Sequence, residues 1–186
     1  RSAICAVSHW YEGELRVDNC VLHNLSWGIR IFLTRGKNVI SNTVIHNIWD
    51  DGIYTEDNRN IEIYGCHIYN VNMGYFDGPE TVAGGDCIQI SNDQGYSYIH
   101  GNILDRSGSG GKFCLIIGER ESGNDPSNAI DSSRIENNTF IGSNFHLYSN
   151  DGAHNPNATT GIYVKSSIRK LILKGNRFEQ IANGYG

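Results

Sequence analysis

An all-β chain wound as a parallel β-helix is the fold this sequence predicts, and three observations carry the prediction. A short phrase recurs through the whole chain: Asp18-Asn-Cys-Val-Leu22-His-Asn-Leu25, Ser41-Asn-Thr-Val-Ile45-His-Asn-Ile48 and Tyr64-Gly-Cys-His-Ile68-Tyr-Asn-Val71, continued as His100-Gly-Asn-Ile-Leu104, Glu136-Asn-Asn-Thr-Phe140 and Lys174-Gly-Asn-Arg-Phe178. Its anchors Leu22, Ile45, Ile68, Leu104, Phe140 and Phe178 lie 23, 23, 36, 36 and 38 residues apart, a basic unit of 23 that absorbs insertions in the later copies. Composition agrees, because 23 Ile, 21 Asn and 22 Gly against 9 Leu, 7 Ala and 1 Met supply β-branched and turn residues and starve a helix of its best formers.

Each unit divides into three strand-length pieces. The anchor phrase is one. Apolar residues at alternate positions mark the next: Gly28-Ile-Arg-Ile31, Gly52-Ile-Tyr-Thr55, Cys87-Ile-Gln-Ile90, Cys114-Leu-Ile-Ile117 and Gly161-Ile-Tyr-Val164. The third piece lies between them, as in Asn38-Val-Ile40, Asn60-Ile-Glu-Ile63, Tyr98-Ile99 and Leu171-Ile-Leu173. Three short strands per unit describe one coil, and about six coils stacked at ~4.8 Å span roughly 29 Å. Asn24, Asn47 and Asn70 share one position in successive copies and are expected to stack as a hydrogen-bonded ladder at a turn. Leucine-rich repeats have a similar period but demand Leu where this chain carries Ile. The organisation is one domain, 1–186, read as a mature product, a trimmed domain or part of a longer chain.

In these repeats the chain resembles the right-handed, pectate-lyase-like parallel β-helix over nearly its whole length. A narrower likeness lies in two phrases. Trp49-Asp50-Asp51-Gly52-Ile53 resembles the Asn-Thr-Asp-Gly-Ile phrase of polygalacturonase-type glycoside hydrolases, and Gly84-Gly85-Asp86-Cys87-Ile88-Gln89-Ile90 resembles their Asp-Asp-Cys-Ile-Ala-Ile phrase one coil later. The family's carboxylates then fall on Asp51 and Asp86. Gly85 stands where the family has the first Asp of its pair, Lys112 or Phe113 stands near its Gly-His-Gly phrase, and Tyr163-Val164-Lys165 only echoes its Arg-Ile-Lys phrase. Lyases of the same fold use an Arg or Lys base near a metal-neutralised uronate, which by analogy points to Arg30, Lys112 and Lys165.

Charge and composition narrow the function classes. A net charge of −5, with 39% hydrophobic and 19% charged residues, fits neither a disordered acidic tail nor a basic nucleic-acid binder. No apolar run approaches the ~18 residues that span a bilayer, so no membrane partner is expected. Five Cys without a CxxC spacing read as small buried fillers, with a disulfide conceivable between Cys87 and Cys114, which align on adjacent coils. The sequons at Asn24, Asn137 and Asn157 lean towards a secreted or surface location.

Insertions flank one strand series: 71–85 before Cys87-Ile88, 118–132 after Ile117, and 143–160 before Gly161. Long loops crowding one sheet make the walls of a groove. Alternation then sets Arg30, Tyr54, Gln89, Ile116 and Tyr163 facing outward on that sheet, with Ile29, Ile53, Ile88, Leu115 and Ile162 facing the core. Two places before each core anchor stand Trp27, Asp51, Asp86, Phe113 and Thr160, so Asp51 and Asp86 are expected as neighbours on adjacent coils.

That pair has three readings: a general acid and base for glycosidic cleavage, Ca²⁺ ligands together with Asp50, Asp77 or Glu80, or turn residues that cap backbone N–H groups. His23 and His46 share a position and should stack, with His67 facing the other way. The expectation is a secreted carbohydrate-active β-helix that binds or cleaves a polysaccharide along the groove. Asp51, Asp86, Arg30 and Lys112 would be catalytic, and Tyr54, Gln89, Tyr163 and Trp27 would be substrate contacts. The rival is a structural module, filament, adhesin or viral-spike in kind, that self-associates through its coil ends or a side face.

Overall fold

The computed structural model describes residues 2–11, 13–71, 85–91, 95–107, 113–118, 130–142, 160–164 and 168–179. Through these the chain runs as strands in a repeating three-step cycle. The first three coils comprise β1 (Ser2–Tyr11), β2 (Leu15–Asp18) and β3 (Val21–Leu25), then β4 (Trp27–Thr34), β5 (Lys37–Ser41) and β6 (Val44–Ile48), then β7 (Ile53–Glu56), β8 (Asn60–Tyr64) and β9 (His67–Tyr69). The next three comprise β10 (Ile88–Ser91), β11 (Tyr96–His100) and β12 (Ile103–Asp105), then β13 (Phe113–Gly118), β14 (Ser132–Glu136) and β15 (Thr139–Ile141), then β16 (Thr160–Val164), β17 (Leu171–Lys174) and β18 (Arg177–Glu179).

Every third strand joins the same sheet, giving three six-stranded sheets: A (β1-β4-β7-β10-β13-β16), B (β2-β5-β8-β11-β14-β17) and C (β3-β6-β9-β12-β15-β18). This is the parallel β-helix of six coils that the repeat predicts. The register follows the repeat phrase, since Leu22 pairs with Ile45, Ile45 with Ile68, Ile68 with Leu104, Leu104 with Phe140 and Phe140 with Phe178. The insertions lie between strands and leave this column unbroken.

The core is a stack of aliphatic layers. Ile29, Ile53, Ile88, Leu115 and Ile162 are fully enclosed along sheet A, as are Ile45, Ile68, Leu104 and Phe140 along sheet C. Each such side chain contributes about 1.5–3 kcal/mol relative to exposure. Among the described residues no helix is long and apolar enough to cross a membrane. Cys87 and Cys114, directly before the paired Ile88 and Leu115, are free buried thiols, not a disulfide.

Two points depart from the sequence reading. Periodicity does not reveal β14, because its inward Ser133 is polar; the strand forms because it pairs in register with β11 and its Ser133 hydroxyl bonds the Ser97 hydroxyl at 2.5 Å. His67 does not face away from the histidine stack. Residues two apart on a strand share a face, and the rings run His23, His46, Tyr69 at 5.1 and 4.9 Å, with His67 4.7 Å from Tyr69.

The corner between sheets B and C holds the coils in line. Asn19, Asn42, Gly65, Gly101, Asn137 and Gly175 occupy one position in the six coils, and all have φ between 48° and 64°. Only Gly and Asn enter this left-handed region readily. At Gly175 a Cβ would also lie 2.2 Å from the Asn137 side-chain oxygen, which would have to shift to admit it.

The next residue turns inward, and in the last three coils it is Asn102, Asn138 and Asn176. Their oxygens accept from the backbone N–H of Cys66, Asn102 and Asn138 at 2.9, 3.0 and 3.0 Å. Their amides donate to the carbonyls of Ile63, Ile99 and Ile135 at 2.9, 2.9 and 2.7 Å. The expected ladder also forms at the corner between sheets C and A, where Asn47 donates to Asn24 and Asn70 to Asn47, each at 3.2 Å, all three at positive φ.

The two ladders differ in what their loss exposes. Asn138→Ala strands the buried Asn102 N–H and the Ile99 carbonyl and is expected to cost on the order of 3 kcal/mol, whereas Asn47→Gly, which keeps the left-handed backbone and removes only the outer ladder bonds, costs about 1 kcal/mol. Urea denaturation of both variants checks the ranking, which equal losses would refute.

Candidate functional site

Sheet A presents the outward row in the expected register: Arg30 beside Tyr54, Tyr54 beside Gln89, Gln89 beside Ile116 and Ile116 beside Tyr163. The described ends of the insertions meet this sheet, while Asp77, Glu80, Lys112 and Lys165 lie outside the described residues. The row divides into two parts. At its far end Tyr163 is almost covered, its ring stacked on Phe113 at 4.7 Å. At its near end the side chains open outward around Arg30.

The Arg30 guanidinium lies 4.3 Å from the centre of the Trp27 ring, 4.7 Å from Phe32 and 5.5 Å from Tyr54. Three aromatic faces thus hold one cation, an arrangement worth about 0.5–2 kcal/mol per good contact. Its buried Nε has no hydrogen-bond partner among the described residues. Asp50 is the acidic neighbour. Partial burial pushes its pKa up, while the Arg30 charge and a hydrogen bond from the Trp27 side chain pull it down. Tyr54 donates to Glu56 at 2.8 Å, and the Gln89 amide donates to Ser91 at 3.0 Å.

Phe32, Glu56 and Ser91 were legible as the next outward step of the same row, two residues beyond Arg30, Tyr54 and Gln89. The contribution of Asp50 was not, because its approach to Arg30 depends on how the chain turns the corner into β7.

Asp51 and Asp86 do stand on adjacent coils, beneath the sheet surface. Asp51 accepts from the Asp86 backbone N–H at 2.8 Å, and Asp86 accepts from the Phe113 N–H at 2.9 Å. Each carboxyl therefore caps the backbone of the following coil, as in the third sequence reading. Asp86 is fully enclosed and Asp51 is 5% exposed. Gly52 lets the coils close here, since a Cβ would sit 2.7 Å from the Cys87 carbonyl oxygen.

Burial pushes the Asp51 carboxyl up to about 8, with repulsion from Asp50 adding to it and the Asp86 N–H and Arg30 opposing it. Burial drives Asp86 well above the ordinary range too, reinforced by Asp51 and opposed by Arg106. Among the described residues no three His, Cys, Asp or Glu side chains converge to hold a metal ion.

Residues 5–116, more than half of the chain, match the family described as the right handed beta helix region. The chain belongs to that family, which makes the coil right-handed and assigns no reaction. No curated protein and no solved structure matches the chain.

The buried pair makes stability depend on pH. Because folding raises both carboxyl pKa values, the folded state binds more protons than the unfolded chain between about pH 4 and about 8, and this contribution to stability falls as pH rises through that window. Asp51→Asn keeps an oxygen for the Asp86 N–H and carries no charge. Its Tm relative to wild type should therefore climb from about pH 5 to about pH 8 in melts followed by circular dichroism; a difference independent of pH would contradict the assignment.

Proposed function

We propose that this protein binds a carboxylate-bearing polysaccharide along the outer face of sheet A, as a secreted or cell-surface β-helix. The observation that carries the reading is the Arg30 guanidinium, held among Trp27, Phe32 and Tyr54 with its buried Nε unbonded among the described residues. A guanidinium is permanently charged, weakly hydrated and shaped to meet a carboxylate with two parallel hydrogen bonds. The rings beside it suit the apolar face of a sugar, and Tyr54 and Gln89 extend the polar row by one coil each, so a chain ligand would meet successive contacts. The sequons support an extracellular setting.

Binding without cleavage by Asp51 and Asp86 is the form of this proposal that their burial favours. A general acid or base must come within hydrogen-bond reach of the substrate, and both carboxyls are enclosed and occupied with backbone N–H groups. Asp50, half-buried beside Arg30, is the carboxyl that a bound sugar would meet.

The test is a panel of polygalacturonate, alginate, chondroitin and neutral xylan with Ca²⁺ present, reading binding by calorimetry alongside reducing ends and unsaturated-uronate absorbance. Wild type should bind a polyuronate more tightly at low salt than at high salt, Arg30→Ala should weaken it at least tenfold, and Asp86→Asn should leave it unchanged. Product release that Asp86→Asn abolishes would overturn the binding-only form, and silence across the polyuronates would overturn the whole reading.

A further inference from the structure

We propose that the outer face of sheet B is a second saccharide site, which seats a neutral pyranose ring against Tyr96 and Tyr98. It lies on a different sheet from the Arg30 row, goes beyond the polyuronate reading and does not depend on it.

Strand alternation turns Asn60, Glu62 and Tyr64 of β8 outward beside Tyr96, Tyr98 and His100 of β11, and Lys37 of β5 pairs with Asn60. Between these coils lies a groove of about 270 Å³ lined by Lys37, Asn60, Ile61, Glu62, Tyr96 and Tyr98. That volume lies just below the range of about 300–1,000 Å³ typical of small-molecule pockets, which suits a single ring and not an extended ligand. Tyr96 is 37% exposed, and its ring is inclined 47° to that of Tyr98 at 6.2 Å, so the two rings open a cleft in which Tyr96 presents the exposed ring.

The walls are set before any ligand arrives. Glu62 is gripped from both sides, by Lys37 at 2.8 Å and His100 at 3.3 Å. Tyr98 donates to Glu136 at 3.2 Å, stacks on His100 at 4.0 Å and carries the Arg134 guanidinium 4.9 Å from its ring centre. Side chains already ordered this way lose little further freedom on binding.

The charge arrangement selects the ligand class. Lys37 is paired with Glu62 and Arg134 with Glu136 at 2.7 Å, so the groove offers no uncompensated cation to draw an anion. What remains is an aromatic cleft with a rim of amide, ammonium and carboxylate groups. A neutral pyranose has the matching amphipathy, an apolar C–H face for the rings and a hydroxyl edge for Asn60, Lys37 and Glu62.

The experiment is an amide-resolved NMR titration of the intact chain with cellohexaose, xylohexaose, mannohexaose and a galacturonate hexamer. At least one neutral oligosaccharide should produce saturable shifts at Asn60, Glu62, Tyr96 and Tyr98, Tyr96→Ala should weaken it at least tenfold, and Tyr96→Phe, which keeps the ring, should retain it. Tyr96 is exposed enough that its truncation should leave the remaining spectrum folded, which the same spectra verify. The Arg30→Ala variant should titrate as wild type, so failure of the sheet A reading leaves these shifts intact. Shifts here from the galacturonate hexamer alone, an unaffected Tyr96→Ala variant, or no response to any neutral oligosaccharide would each overturn the proposal.

Discussion

The fold depends on one corner. Between sheets B and C every coil passes through a residue at positive φ, and in the last three coils the residue after it is an Asn that turns into the molecule and bonds the backbone of a neighbouring coil. A corner of this kind tolerates neither an added residue nor an ordinary side chain at the turn. It therefore fixes where β3, β6, β9, β12, β15 and β18 begin, and the parallel register of all three sheets propagates from it. The other two corners admit insertions because this one does not.

A fixed register converts linear spacing into surface chemistry. Residues far apart in sequence become neighbours across adjacent strands at about 4.8 Å, so like side chains stack into ladders: isoleucines inside, asparagines at two corners, and the His23–His46–Tyr69 rings on sheet C. On the outer faces the same rule gives each sheet a different character. Sheet A gathers a cation among aromatic rings with an acid beside it, whereas sheet B gathers tyrosines and balanced ion pairs.

Asp51 and Asp86 show how position decides the chemistry of a residue type. At the surface two neighbouring carboxylates would be a candidate acid/base or metal-binding pair; here they lie beneath it, accept backbone N–H groups and are driven towards the protonated form by burial, reinforced by Asp50 at Asp51 and by Asp51 at Asp86. Arg30 is the converse case. An arginine on a sheet face is ordinarily a solvated charge, and it becomes distinctive here because Trp27, Phe32 and Tyr54 surround it.

Much of this was legible in the chain itself. The 23-residue period, the alternation around each Gly-Ile or Cys-Ile phrase and the shared position of Asn24, Asn47 and Asn70 determined the sheets, the outward row and the adjacency of Asp51 and Asp86, because a repeat with period-two strands has only one way to bury its isoleucines. The buried ladder of Asn102, Asn138 and Asn176 stood in the recurring phrase but could not be told from ordinary turn asparagines, since burial is a property of the corner and not of the residue. Tertiary structure alone decided that the two carboxyls point beneath the surface, that Asp50 meets Arg30, and that Tyr96 and Tyr98 open a cleft. Each of these rests on side-chain direction and on contacts across coils, which strand alternation limits but does not specify.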